Sequence, residues 1–263
     1  MKTKFTLLAL TLTFYFALLT FNCAAQANEP GAGNCLLFDG VNDYVDCGTN
    51  TSFNFLHYGT TGSPKWTISF WYKLPAAMID INDLKYILGT HNGDSGQNGI
   101  VISFEDRSSL GADHAIHLTI SRSVGGSWVL QSRSINNIIP KDTNWHSFVM
   151  TYDHTLVSSN AKIYIDGVFK DALTKTGNPT NSGNSNKPLE IGMGAFNNYQ
   201  PFNFFIDELS VYTTILTQTE IRNNMCQKLI GNEPGLVGYW RFDETAGNIY
   251  FDSSPNGNNG TGF

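Results

Sequence analysis

Apolar and polar residues alternate along this chain in short runs. From Trp145 to Gly167 the sequence reads WHSFVMTYDHTLVSSNAKIYIDG. Phe148, Met150 and Tyr152 fall on one face of the first run, and Ile163 and Ile165 on one face of the second. Alternation with period two predicts half-buried strands. Asp166-Gly167, which closes the second run, suits the positive backbone angles of a tight hairpin turn. The same pattern predicts strands at 36–38, 44–47, 66–73, 86–88, 100–104, 117–120, 128–131, 189–193 and 204–212. Parallel crossovers need helices or long connections that are missing here, so two antiparallel sheets packed face to face are the economical arrangement. One helix interrupts the strands. Thr217-Gln218-Thr219-Glu220 fits a capping box. Ile221, Met225, Cys226, Leu229 and Ile230 then share a helical face, and Gly231 suits a left-handed C-terminal cap. That spacing predicts about three turns packed through this face, with Cys226 on the packed side.

Composition refines the picture at the N-terminus. Lys2 and Lys4 precede an apolar run from Phe5 to Phe21, followed by Ala25-Gln26-Ala27. This order predicts a secretory signal peptide at 1–27, cleaved after Ala27. A membrane anchor is the rival, since the run approaches the roughly 18 residues a span requires. The Ala-x-Ala exit and the lack of basic residues after it favour cleavage. Lipidation at Cys23 is a third reading, to which Asn22 is a poor fit. The remainder divides into a domain at 28–230 and a C-terminal segment at 231–263. Net charge is −6 with no lysine or arginine cluster, which argues against nucleic acid and anionic membranes as partners. After cleavage Cys35, Cys47 and Cys226 remain. Export permits a disulfide. Cys35 and Cys47 lie symmetrically about Val41, where one hairpin would bring them opposite each other. Cys226 competes for either, and three small buried hydrophobes are an equal reading.

Five motifs now stand in order: LLFDGVNDYVDCG (36–48), WTISFWYKLP (66–75), WHSFVMTYD with KIYIDG (145–167), LEIG (189–192) and FIDELSVYTTILTQTEI (205–221). Together they resemble bacterial laminin-G-like domains over most of the mature chain, about 36–230. The resemblance implies an all-β fold, a two-sheet antiparallel jelly-roll sandwich of the concanavalin A-like class with one short C-terminal helix. That class includes lectins, pentraxins and some glycan hydrolases, so the fold alone does not choose a function. The tail GLVGYWRFDETAGNIYFDSSPNGNNGTG (235–262) resembles the segment that usually precedes the FDG strand in this family. It opens a further repeat, folds back to supply a first strand, or adds that strand to a neighbouring molecule. Trp240 and Phe242 are costly to leave in water, which favours docking of 236–242 onto its own sandwich. Residues after Asp252 read as flexible loop.

Catalytic patterns are weak. Retaining glycan hydrolases place two carboxylates about 5–5.5 Å apart. In the related family these lie in Glu-x-Asp-x-x-Glu, and that spacing does not occur here. Asp207-Glu208 are neighbours, which in a regular strand point to opposite faces. Gly93-Asp94-Ser95-Gly96 is similar to a chymotrypsin-like nucleophile motif but lacks its context. His114 and His117 diverge on a strand and read as solvated histidines.

Calcium is the cofactor the class suggests, since hard cations take six to eight oxygen ligands. Resemblance to pentraxins points to Asp94 and Asn98, although the acids expected at 193–198 are missing. Asp207 shares parity with Phe205, Leu209 and Val211 and so is expected on the apolar side, where a bare carboxylate costs several kcal/mol. Either backbone N–H groups or a cation satisfies it. Resemblance to some glycan hydrolases of this fold places Asp39 and the 38–40 backbone beside it. For a ligand, Phe196, Asn197, Asn198 and Tyr199 combine aromatic faces with amides suited to sugars. The expectation is a secreted, non-catalytic module that binds glycans or extracellular proteins. A structural or adhesive spacer from a tandem architecture is the alternative, and a glycan hydrolase the third reading.

Overall fold

The alternating runs become strands in the computed structural model, which describes residues 33–49, 51–57, 64–91, 98–122, 128–177, 185, 187–192 and 201–263. The expected signal peptide, Cys23, Asp94 and the 196–199 loop lie outside the described residues. The strands are β1 (Leu36–Asp39), β2 (Val45–Cys47), β3 (Lys65–Lys73), β4 (Leu84–Gly89), β5 (Ile100–Glu105), β6 (Ala115–Arg122), β7 (Trp128–Arg133) and β8 (Trp145–Asp153). They continue with β9 (Ala161–Ile165), β10 (Val168–Leu173), β11 (Leu189–Ile191), β12 (Asn203–Tyr212), β13 (Leu236–Trp240), β14 (Ile249–Tyr250) and β15 (Gly260–Gly262). A seven-stranded sheet runs β1-β12-β3-β8-β9-β10, with β13 also paired to β12; an eight-stranded sheet runs β14-β15-β2-β11-β4-β5-β6-β7. All these pairings are antiparallel. The fold is the two-sheet antiparallel jelly-roll sandwich that the laminin-G-like resemblance implied.

Between the sheets lies one apolar core. On β3 and β8, Trp66 faces Tyr152, Ile68 faces Met150 and Phe70 faces Phe148, all buried. A ladder of rings joins the two layers: Phe38, Phe204, Phe202 and Phe104 stack with successive centroids 5.2, 4.8 and 5.5 Å apart. Stacked aromatics of this size dominate core energetics.

Asp166 and Gly167 adopt φ of 52° and 68° and close the two-residue turn from β9 to β10. The turn also carries a charge network. His146 Nδ1 lies 2.8 Å from Asp166 Oδ2, and its Nε2 3.0 Å from Asp142 Oδ1. Burial opposes charge on the ring, but the bonds to Asp166 and Asp142 outweigh it and hold the pKa above 6.5. A raised histidine contributes stability that is fully present below its unfolded pKa and is lost as pH rises through the folded one. Wild type is therefore expected to lose melting temperature from about pH 6.5 to 8.5 more steeply than His146→Gln. Parallel pH profiles of the two proteins contradict this.

Three expectations need correction. First, β1 and β2 do not form a hairpin. β1 pairs with β12 in one sheet and β2 with β11 and β15 in the other, because Gly40 at φ 78° carries the chain across the sandwich. Cys35, just before β1, and Cys47, on β2, therefore part to different sheets, and no disulfide joins Cys35, Cys47 or Cys226. Second, helix α1 is Gln218–Met225, shorter than expected. Its capping box forms, with Glu220 N donating to the Thr217 side chain and Thr217 N to Glu220. Asn223 and Asn224 are poor helix formers, and the helix ends at Cys226, which is exposed. Ile221 alone is buried on it, against Val149 and Tyr164. Leu229 leaves the helix to pack with Tyr212, Leu236 and Tyr239, while Ile230 is 81% exposed. Third, the stretch after Asp252 contains β15, which pairs with β2 and β14.

The tail joins both sheets. β13 pairs with β12 from Leu209 to Tyr212, continuing the edge that β1 occupies from Asn203 to Ile206. Trp240 is fully buried and donates from Nε1 to Asn258 O at 3.0 Å. Asp252 gathers four donors, the N–H groups of Tyr239, Ser254 and Asn258 and the Ser254 hydroxyl, at 2.8 Å each.

Candidate functional site

The two outer faces of the sandwich differ in cover. On the seven-stranded sheet, α1 covers Val149 and Tyr164, and the segment after it covers Tyr212 and Tyr239. Among the described residues no comparable apolar cluster forms on the eight-stranded sheet. Its outer face is polar. Strand register places Asp46, Glu190, Gly89, Val101, Thr119 and Gln131 in one row across six strands. A second row holds Tyr86, Ser103, His117 and Arg133. Beyond it, the buried Glu105 pairs with Arg107 Nη2 at 2.6 Å and lies 3.7 Å from Arg133 Nη1. Asp46 and Glu190 are directly opposite, an unfavourable like-charge pairing. Burial, reinforced by Asp46, pushes Glu190 up to about 7. Burial likewise lowers His117, with Glu105 opposing and both arginines assisting.

At one rim of this face an open pocket of about 460 Å³ is lined by Asp80, Asn82, Asp106, Ser108, Asn136 and Lys141 among others. Asp80, Asn82, His114 and Asn137 all have positive φ there, a strain that tends to concentrate at functional sites. Asp80, Asp113 and His114 are close enough to share a cation. Lys141 Nζ already sits between them, 3.1 Å from Asp80 and 2.7 Å from Asp113. His114 is buried, with Nδ1 3.0 Å from Asp113 and 3.4 Å from Asp106, so the expectation of a solvated histidine fails. Three separate connections, β3 to β4, β5 to β6 and β7 to β8, build this pocket, and spacing along the chain gave no signal for it.

Asp207 occupies a different place from the one expected. Between Asp207↔Trp71 and Ser210↔Ser69 the register slips by one residue. Glu208 takes φ 53° in this bulge. The extra residue reverses parity. Leu209 and Val211 enter the core, whereas Phe205 and Asp207 face outward beside Lys73 and Trp71. Asp207 is nevertheless 1% exposed, where β1 and β13 meet along β12. Its Oδ1 accepts from Glu208 N at 2.9 Å, and its Oδ2 has no partner. Nearby, Asp243 Oδ2 accepts from Lys228 Nζ at 3.0 Å while Oδ1 is unpartnered. Glu208 accepts from the Tyr239 hydroxyl and lies 3.5 Å from Lys228. Burial, then the adjacent Glu208 and Asp243 charges, push Asp207 up to about 8.

Asp39 does not join this group. It stands opposite Asn203, roughly 13 Å along the strand from Asp207, and its Oδ1 accepts from Val41 N at 2.7 Å. Gly33 and Asn34 lie there instead: Asn34 Nδ2 donates to Asp243 O at 3.0 Å, and a side chain on Gly33 would strike Asp243. Asn98 is half-buried beside Gly99; its expected partner Asp94 and the ligand group Phe196, Asn197, Asn198 and Tyr199 fall outside the described residues. Among the described residues, no helix is long and apolar enough to cross a membrane.

Comparison with known proteins bears on the fold. A protein from Bacteroides ovatus ATCC 8483, assigned to carbohydrate binding, superposes with TM-score 0.54 at 16% identity, covering 86% of this chain and 57% of its own. The NanB sialidase of Streptococcus pneumoniae superposes with TM-score 0.50 at 17% identity, covering 73% of this chain and 27% of its own. The CBM40 module of a Ruminococcus gnavus sialidase gives 0.47 at 13% identity, with coverage of 72% and 98%. The chain thus spans under two thirds of the first two relatives, and at these identities the likeness is one of fold. No curated protein matches. Residues 39–222 match Laminin_G_3, the concanavalin A-like lectin/glucanases superfamily, and the chain belongs to that family.

Proposed function

We propose that this protein is a secreted, non-catalytic module that binds glycans on the outer face of its eight-stranded sheet. One observation carries the reading: apolar clusters cover one outer face, whereas on the other Tyr86, His117, Gln131 and Arg133 reach solvent around the buried Ser103 and Thr119. Sugars are recognised by such groups, placed on a rigid scaffold so that little ordering is needed on binding. One relative of this fold, described as a carbohydrate binding protein, supports the ligand class. Export rests on the Lys2–Lys4 start, the apolar run and the Ala25-Gln26-Ala27 exit.

Calcium is proposed as a structural partner. The buried, unpartnered oxygens of Asp207 and Asp243 fit a hard cation. Asp207 and Asp243 would hold it, beside Lys228, whose Nζ lies 3.0 Å from Asp243 and 3.5 Å from Glu208, and it would supply charge compensation where β1 and β13 meet along β12.

A glycan array followed by calorimetry tests the function. Tyr86→Ala and Gln131→Ala are expected to weaken binding of the array's best ligand several-fold, and Lys170→Ala, on the far edge strand, to leave it unchanged. Absence of any glycan ligand would favour the spacer alternative. Release of reducing sugar would favour a hydrolase.

A further inference from the structure

We propose that the glycan bound by this face carries an oxyanion, a carboxylate or a sulfate ester, and that Arg107 and Arg133 receive it. The inference rests on the face assigned above and names the ligand class of that site.

Arg107, just past β5, brings Nε and Nη2 to 3.1 and 2.6 Å from Glu105 Oε1. Arg133, at the end of β7, brings Nη1 to 3.7 Å from the same oxygen and donates to Leu110 O at 3.2 Å. Glu105 is the buried anchor, its side chain 3% exposed, while Arg107 and Arg133 remain 36% and 31% exposed. One carboxylate thus holds two guanidiniums side by side and compensates one of their two charges. Each guanidinium has five N–H donors, and these contacts use a minority of them. The planar fork that remains matches a carboxylate or sulfate. A second anion would relieve the repulsion between the arginines.

The setting is specific. The chain as a whole carries a net charge of −6, so this positive spot is not a by-product of basic composition. His117 pairs across from Arg133 and presents a ring whose protonation is disfavoured by burial. Asp46 and Glu190 lie at the far end of the neighbouring row. These carboxyls are four and five strand spacings from β7, roughly 19–24 Å, so an oxyanion at the arginines is clear of their repulsion.

The test is calorimetry of the intact protein with oligosaccharides ending in glucuronate, galacturonate and sialate, the methyl ester of each, and sulfated and unsulfated lactose. At least one acidic member is expected to bind roughly tenfold or more tightly than its neutral counterpart, with affinity falling as salt rises. A carboxylated or a sulfated winner identifies the source of the oxyanion. Arg107→Lys and Arg133→Lys keep the charge and lose the fork, so each should erase most of that preference. Equal binding of acidic and neutral forms by wild type overturns the proposal while leaving glycan binding by the face intact. So does a preference kept in full by both folded lysine variants. Binding of neither acidic nor neutral glycans overturns both readings.

Discussion

Trp240→Ala is expected to cost about 3–5 kcal/mol of folding stability, in the range seen when a buried aromatic is truncated. Trp240 is fully buried, packs against Phe53 with ring centroids 6.0 Å apart, and ties β13 to the 258 backbone. Its loss opens a cavity that the two sheets cannot close, because each is pinned by its own ladder. Deleting 232–263 should be worse: it removes β13 from one sheet and β14 and β15 from the other, and strips the cover from Leu229 and Tyr212. Denaturant titration followed by tryptophan fluorescence is the measurement. A midpoint shared by wild type, Trp240→Ala and the deletion would show that the tail contributes nothing to the fold.

Calcium is expected to have the second largest effect. A ligand at one hundred times its Kd stabilises the native state by about 2.7 kcal/mol. For a domain of this size that raises the melting temperature by roughly 5–10 °C. Asp243→Asn and Asp207→Asn should each abolish the rise. Their own folding should survive: burial already disfavours charge on Asp207, and an amide reproduces its neutral form. The experiment is a thermal melt with calcium and with chelator. No shift in wild type, or an equal shift in both variants, removes the cation from the account.

The strands were readable because half-buried ladders impose period two locally. The Asp166-Gly167 turn and the Thr217–Glu220 capping box were readable for the same reason, each being a short-range contact. Properties that depend on partners distant in sequence were not. Parity along β12 misplaced Asp207, since a bulge at a non-glycine residue leaves no mark in the sequence pattern. Cys35 and Cys47 have hairpin spacing, yet only the choice of partners β12 and β11 decides that they part. The helix was over-extended because Leu229 is apolar for contact with Tyr239 and not for continuation of α1. The rim pocket draws on residues from Asp80 to Lys141, and the arginine pair on a position just past β5 and the end of β7. Neither is visible without register.

The most direct measurement is amide chemical-shift mapping of the isotope-labelled protein at saturation with its best array glycan. The account predicts perturbations on β4 to β7 around Ser103, His117 and Arg133, with Tyr164 and Ile221 on the opposite face unmoved. Perturbations confined to the face under α1, or none at saturating glycan, would contradict it.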